Sequence, residues 1–188
     1  MKTTGIIGIG DMGSGIALNL IKNGFEVSGW DLLDQRMDAF SVMGGKAKKN
    51  VADVGAAADA VFVMVMNGDQ VKEVLFAPDG LMSTLKKGSA VILSATIKPS
   101  EAREIGARME GSGIHLIDTP VSGGFPGAQG GTLTMMASAP AAILDEFKPV
   151  MEAVSANIHR VGTEAGMGQT VKACLQSLIG AQFSATFE

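Results

Sequence analysis

The sequence predicts an α/β protein: a doubly wound, mostly parallel sheet followed by one long helix. Three observations predict it. Short β-like runs alternate with helical patterns along most of the 188 residues, as βαβ units require. Two of those runs, "DAVFVMVMN" (59–67) and "SAVILSAT" (89–96), are almost continuously apolar, as strands covered by helices on both faces are. A cluster of glycines, Gly8, Gly10 and Gly13, separates the first strand from the first helix.

The elements follow in order. A strand near 3–9 leads through the glycines into a helix near 11–23, whose apolar residues Ile16, Ala17, Leu20 and Ile21 recur at helical spacing. A second strand near 25–31 ends in Asp31, and a helix near 34–44 carries Arg36. "GGKAKKN" (44–50), the densest positive run, reads as a solvated turn or an edge strand. The two central strands near 59–66 and 89–96 are separated by helices near 68–76 and 80–87. Beyond them come a helix near 99–111, strands near 114–121 and 131–138, a helix near 140–154 and a strand near 157–161. From 167 to 187, Val171, Cys174, Leu175, Leu178 and Phe183 recur at helical spacing; this face is expected to pack, with Cys174 an inert core thiol. The chain stops at "SATFE" without a glycine cap or a basic last turn, so it is expected to end inside an element. The division expected is 1–162 as one domain and 163–188 as the start of an interdomain helix.

Composition excludes several function classes. A formal net charge of −4 and only small basic clusters give no attraction for nucleic acid. One cysteine and two separated histidines offer neither an internal disulfide nor a metal-ligand cluster. No apolar run approaches the roughly 20 residues of a spanning helix. The expectation is a cytoplasmic protein, without metal, that takes a small ligand.

The glycines carry the first chemistry. Gly8-x-Gly10-x-x-Gly13 after a strand and before a helix is the pattern of a dinucleotide turn in a Rossmann-type fold. Gly8 allows the tight turn, Gly10 lets the backbone approach a pyrophosphate, and Gly13 lets the helix pack. Free N–H groups and the helix dipole then face the phosphates. Asp31, 23 residues after Gly8, is placed to accept hydrogen bonds from an adenosine ribose and to repel a 2′-phosphate, which favours NAD over NADP. Arg36, inside the next helical pattern, is expected to be solvated. Trp30 is placed either near an adenine or within the sheet.

Three further motifs stand in order: "SATIKPS" (94–100), "DTPVSGG" (118–124) and "GMGQTVKACLQ" (166–176). With them the chain resembles, over its whole length, the β-hydroxyacid dehydrogenase family, whose members include 3-hydroxyisobutyrate, L-threonate and 6-phosphogluconate dehydrogenases and tartronate semialdehyde reductase. Met12, Gly13, Ala17, Asn19 and Leu20 match the family's continuation of the glycine turn. The resemblance implies NAD-dependent oxidation of a short-chain 3-hydroxy acid, with Lys172 the catalytic lysine. It implies that Ser122, Gly123 and Gly124 hold the acid's carboxylate, and that Gln176, where the family has asparagine, meets the substrate hydroxyl. Asp11, Met12, Asn67 and Thr96 join Gly8, Gly10, Gly13 and Asp31 as cofactor candidates. It also implies an all-helical domain after the long helix, which builds a homo-oligomer.

Read without the family, Lys172 and Gln176 are four residues apart on one helix face. A lysine there serves as a general base only when burial or nearby positive charge lowers its pKa. "VSGG" reads as a strand end and an anion-binding glycine loop. Asp118, beside Pro120, is expected to hydrogen-bond the adjoining loop backbone. The rival reading is a non-catalytic dinucleotide-binding or regulatory module.

Overall fold

A computed structural model describes residues 2–188; Met1, counted in the expected first domain, lies outside the described residues. Six parallel strands form the body of the sheet: β1 (Thr4–Ile7), β2 (Val27–Trp30), β3 (Lys46–Ala47), β4 (Ala60–Val63), β5 (Ala90–Leu93) and β6 (His115–Asp118). Their order is β3-β2-β1-β4-β5-β6, so the chain winds outward in one direction from β1, returns, and winds the other way from β4. The two halves meet where Ile7 pairs with Val63, which puts a crevice at the carboxyl ends of β1 and β4.

The far edge departs from parallel order. β8 (Leu133–Ser138) meets β6 antiparallel at Asp118 and Ser138, β7 (Val121–Ser122) pairs antiparallel with β8, and β9 (Ser155–Gly162) runs parallel to β8.

Alternation along the strands divides the core into two layers. Ile6, Phe62 and Ile92 enter one cluster with Ile16 and Leu20 of α1 (Asp11–Lys22), Phe40 of α2 (Asp34–Val42) and Phe147 of α7 (Ala141–Glu152). Ile7, Val61, Val63, Val91 and Leu93 enter the other. There they meet Val54 of α3 (Val51–Ala57), Val71 and Leu75 of α4 (Gly68–Phe76), and Ala102 and Ile105 of α5 (Pro99–Met109). Both faces of the central strands are therefore covered, which is why their sequences show no polar alternation.

Three expectations are corrected, and one helix is added. The helix expected near 80–87 is only a 3-10 turn, Leu81–Ser83; the chain then turns into β5 through Gly88 at φ +85°. "GGKAKKN" does include an edge strand, β3, but it leads into the unanticipated α3, capped by the Asn50 side chain accepting from the Asp53 N–H at 2.8 Å. The glycine loop expected after "VSGG" starts a helix at once, α6 (Gly124–Gly130). α6 lies against α1 so closely that a methyl group at Gly15 would sit 2.5 Å from the Ala128 carbonyl carbon. The Asn19 side chain of α1 donates to the Ala128 and Gln129 carbonyls at 2.8 and 3.1 Å. Finally, α8 (Met167–Phe187) forms as expected but turns its other face inward. Gly168, Gln169 and Lys172 are buried, while Val171, Leu178 and Phe183 are exposed and Cys174 is an exposed free thiol.

Candidate functional site

The glycine turn is built by close backbone contact. Gly8 has φ +87° and donates its N–H to the Trp30 carbonyl at 3.0 Å, while any side chain there would strike the Met64 carbonyl. A side chain at Gly13 would strike the Gly8 carbonyl, so the third glycine lets α1 close onto the turn itself rather than onto the strands. α1 is capped by Gly10 with no side-chain hydrogen bond, which leaves its first-turn N–H groups available to an anion. Asp11, in that first turn, is exposed, and Met12 packs partly against the core.

In front of this turn lies a crevice of about 740 Å³. Gly8, Gly10, Asp11 and Met12 form one wall, and Trp30, Asp31, Leu32 and Met66 contribute to the others. Trp30 packs partly against the second core cluster and also lines the crevice. The Asp31 carboxylate is 8% exposed and accepts from the Ile9 N–H at 2.7 Å and the Leu33 N–H at 3.0 Å. It thus braces the turn from behind. Arg36 is exposed, as expected, and it also pairs with the carboxylate: its Nη1 lies 3.2 Å from Asp31 Oδ2, and its guanidinium faces Gly10. Asn67 is used locally, its side chain accepting from the Gln70 N–H at 2.9 Å to cap α4.

The second group of residues lies just after β5, at the end of β7 and on α8, outside the residues that line the crevice. Thr96 is exposed just after β5. Ser122 is half-buried in β7, and Gly123 and Gly124, both at positive φ, turn the chain into α6. Lys172 is 7% exposed on α8, and burial pushes its pKa below the ordinary lysine value. Gln176, one turn further, is exposed, so the structure buries the lysine and leaves its expected partner at the surface.

Two side chains that sequence reasoning undervalued hold α8 in place. Asp118, fully buried, accepts not from its own loop but from the Gly166 N–H at 2.8 Å, the Gln169 N–H at 3.3 Å and Gln169 Nε2 at 3.0 Å. α8 has no cap of its own, Gly166 standing at φ +92°, so a carboxylate from β6 satisfies its first donors. Burial raises the Asp118 pKa, and these hydrogen bonds oppose the rise. Gln169, 1% exposed, also donates Nε2 to the Ala95 carbonyl and accepts from the Ile97 N–H, each at 3.0 Å. Glycine at 168 is required because a methyl group there would lie 2.5 Å from the Met136 carbonyl oxygen and 2.7 Å from that of Asp118. The "G-x-G" before the lysine was a legible signal for this close approach; the partners of Gln169 were not.

Residues 3–162 match the family described as the NAD binding domain of 6-phosphogluconate dehydrogenase. The chain belongs to that NAD-binding domain family. The remainder of its length also has relatives. L-threonate dehydrogenase of Escherichia coli is 38% identical over 185 residues, which cover 98% of this chain and 61% of that protein. The NAD-dependent L-serine dehydrogenase of Pseudomonas aeruginosa is 35% identical over 188 residues, 100% of this chain and 63% of that one. The crystal structure of 3-hydroxyisobutyrate dehydrogenase from Salmonella typhimurium superposes with a TM-score of 0.91 at 36% identity, covering 97% of this chain and 64% of that one. This NAD-binding chain thus spans about three fifths of the length of the curated relatives it matches. Among its described residues no helix is long and apolar enough to cross a membrane.

Proposed function

We propose that this chain provides the cofactor crevice and the proton-transfer lysine of an NAD-dependent dehydrogenase acting on a short-chain 3-hydroxy acid. The observation that carries the reading is Lys172, buried on α8 with its pKa lowered by burial. A buried lysine costs stability unless its neutral form is used, and a lysine with a lowered pKa is a competent general base. The same observation favours an enzyme over a module that only binds a dinucleotide.

The crevice residues fit NAD. The uncapped first turn of α1 offers N–H donors to a pyrophosphate, with Gly8, Gly10 and Gly13 admitting the approach and Asp11 and Met12 lining it. Asp31 reaches the ribose by exchanging its longest contacts, those from Arg36 Nη1 at 3.3 and 3.2 Å, for the ribose hydroxyls. Thr96 and Asn67 are the further cofactor contacts in this reading, Asn67 with its oxygen already engaged in the α4 cap. NAD, when bound, supplies the hydride acceptor. Ser122 Oγ and the Gly123 and Gly124 N–H groups hold the acid's carboxylate, Lys172 Nζ takes the hydroxyl proton, and Gln176 orients the hydroxyl. The names of the relatives, L-threonate, L-serine and 3-hydroxyisobutyrate dehydrogenases, support a small hydroxy acid as substrate. We further propose 1–162 as the cofactor domain and 163–188 as the start of an interdomain helix. A cytoplasmic homo-oligomer is part of the same reading, its self-association supported by the exposed apolar side chains of α8.

The test has two arms. The chain is titrated with NADH and NADPH, and turnover of a hydroxy-acid panel is measured with the chain alone and joined to the remainder of the Escherichia coli relative. The reading expects NADH to saturate and turnover to be lost in Lys172→Ala with NADH binding retained. Undiminished turnover in Lys172→Ala would refute it.

A further inference from the structure

Gln169 stands where three pieces of backbone meet. Its carboxamide accepts from the Ile97 N–H, donates to the Ala95 carbonyl and donates to Asp118 Oδ1, all at 3.0 Å. The residue enclosed by the first two contacts is Thr96, whose backbone is thereby pinned on both sides while its side chain stays exposed. Lys172 lies three residues beyond Gln169, on the same buried face of α8. Asp118 fixes the other end of the same unit, binding the Gly166 N–H and both nitrogens of Gln169. No other side chain among the hydrogen bonds of the described residues joins the segment after β5 to α8.

We propose that Gln169 is a positioning residue: its carboxamide clamps segment 95–97 onto the helical turn that carries Lys172. The Thr96 segment and the proton-transfer amine are then held in one frame, with Asp118 as its fixed post. This rests on the dehydrogenase reading above, since that reading gives Thr96 and Lys172 their roles. It adds what sets their separation. The chemistry needs this because a proton acceptor and a hydride acceptor must address adjacent atoms of one substrate, and misplacement by about 1 Å costs on the order of 100-fold in rate. A clamp made of a neutral amide has a further property: it saturates two backbone groups and a carboxylate without placing a second charge beside the lysine. The charged groups facing the start of α8 are Asp118 and Arg103, whose side chain lies alongside Gly166.

The variant is Gln169→Met, which keeps the length and volume of the side chain and removes its three hydrogen bonds. The readouts are amide hydrogen exchange and NMR titration of ε-carbon-labelled Lys172 in the 188-residue chain. The clamp predicts that Ile97 loses at least tenfold of its protection while amides in the middle of α8 keep theirs. It also predicts that Lys172 titrates nearer the ordinary lysine value, because water enters beside the released segment. Packing alone would move neither, since methionine fills the same space. A folded Gln169→Met in which Ile97 and Lys172 behave as in the unaltered chain overturns the proposal. If that variant does not fold, the unaltered chain decides. A clamp that opens as a unit gives Ile97 and Gly166 protection factors within tenfold of each other, and Ile97 exchanging more than tenfold faster than Gly166 overturns it. Undiminished turnover in Lys172→Ala refutes the assigned reaction instead, so the two failures are distinguishable.

Discussion

Removing the Asp31 carboxylate tests whether the dinucleotide turn is braced from behind. In Asp31→Ala, the Ile9 N–H loses its acceptor at 2.7 Å in a buried setting, which costs about 1–3 kcal/mol. The Leu33 N–H loses a bond at 3.0 Å, but Leu33 is 53% exposed and water replaces most of it. The Arg36 ion pair, with a half-exposed guanidinium, adds at most about 1 kcal/mol. The sum is about 1–4 kcal/mol, which in a chain of this size lowers Tm by roughly 2–16 °C. Arg36→Ala removes only the last contribution and shifts Tm by no more than about 4 °C. Asp31→Asn, which retains one oxygen for Ile9, falls between the two. The assay is thermal unfolding by circular dichroism at pH 7 without cofactor, so that loss of a ribose contact cannot contribute. Equal shifts in Asp31→Ala and Arg36→Ala would refute the brace and leave Asp31 as a ligand contact only.

Gly13→Ala forces a methyl group against the Gly8 carbonyl; NADH affinity measured by fluorescence titration should fall at least tenfold, and binding within twofold of the unaltered chain would contradict the packing described. Because burial lowers the Lys172 pKa, hydroxy-acid oxidation should rise with pH and level off below the ordinary lysine value of 10.5, as a pH–rate profile would show. The same shift has a stability sign: the unfolded chain takes up the lysine proton first, so this group's contribution is fullest above 10.5 and declines as pH falls through the folded value. Asp118 has the opposite sense, its folded pKa being raised. Its contribution is full below 3.8 and is lost as pH rises through the folded value, and denaturation at a series of acid pH values should show that slope weakened in Asp118→Asn. Asn19→Ala, which removes bonds to two α6 carbonyls, should cost about 1–3 kcal/mol in urea unfolding.

What the sequence made legible was whatever depended on local pattern. The continuous apolar runs around Phe62 and Ile92 marked the central strands because both of their faces are covered. The glycine spacing marked the turn because Gly8 and Gly13 each answer a close backbone contact, with the Met64 and the Gly8 carbonyl. α3 was missed because it spans only seven residues and its cue was the single Asn50 cap. α6, with three glycines and a proline in "GFPGAQG", has almost no intrinsic helical preference and is formed by its packing on α1. The inward face of α8 was misread for a related reason. Val171, Leu178 and Phe183 are the more apolar set, yet the buried face is chosen by Asp118, 48 residues from Gly166, and by the close fit of Gly168 under β6 and β8. Periodicity reports which side of a helix is greasy, and a buried carboxylate can outweigh it.

The near-fusion of α1 with α6 bears on anyone who would rebuild this protein. Gly15 and Asn19 on one helix read the backbone of Ala128 and Gln129 on the other, so the helix that starts at the end of "VSGG" is not a free cassette. Transplanting it from a relative to test the proposed acid-binding role would carry a foreign α6 against a native α1. The grafts that retain their footing should be those that exchange the two helices as a matched pair.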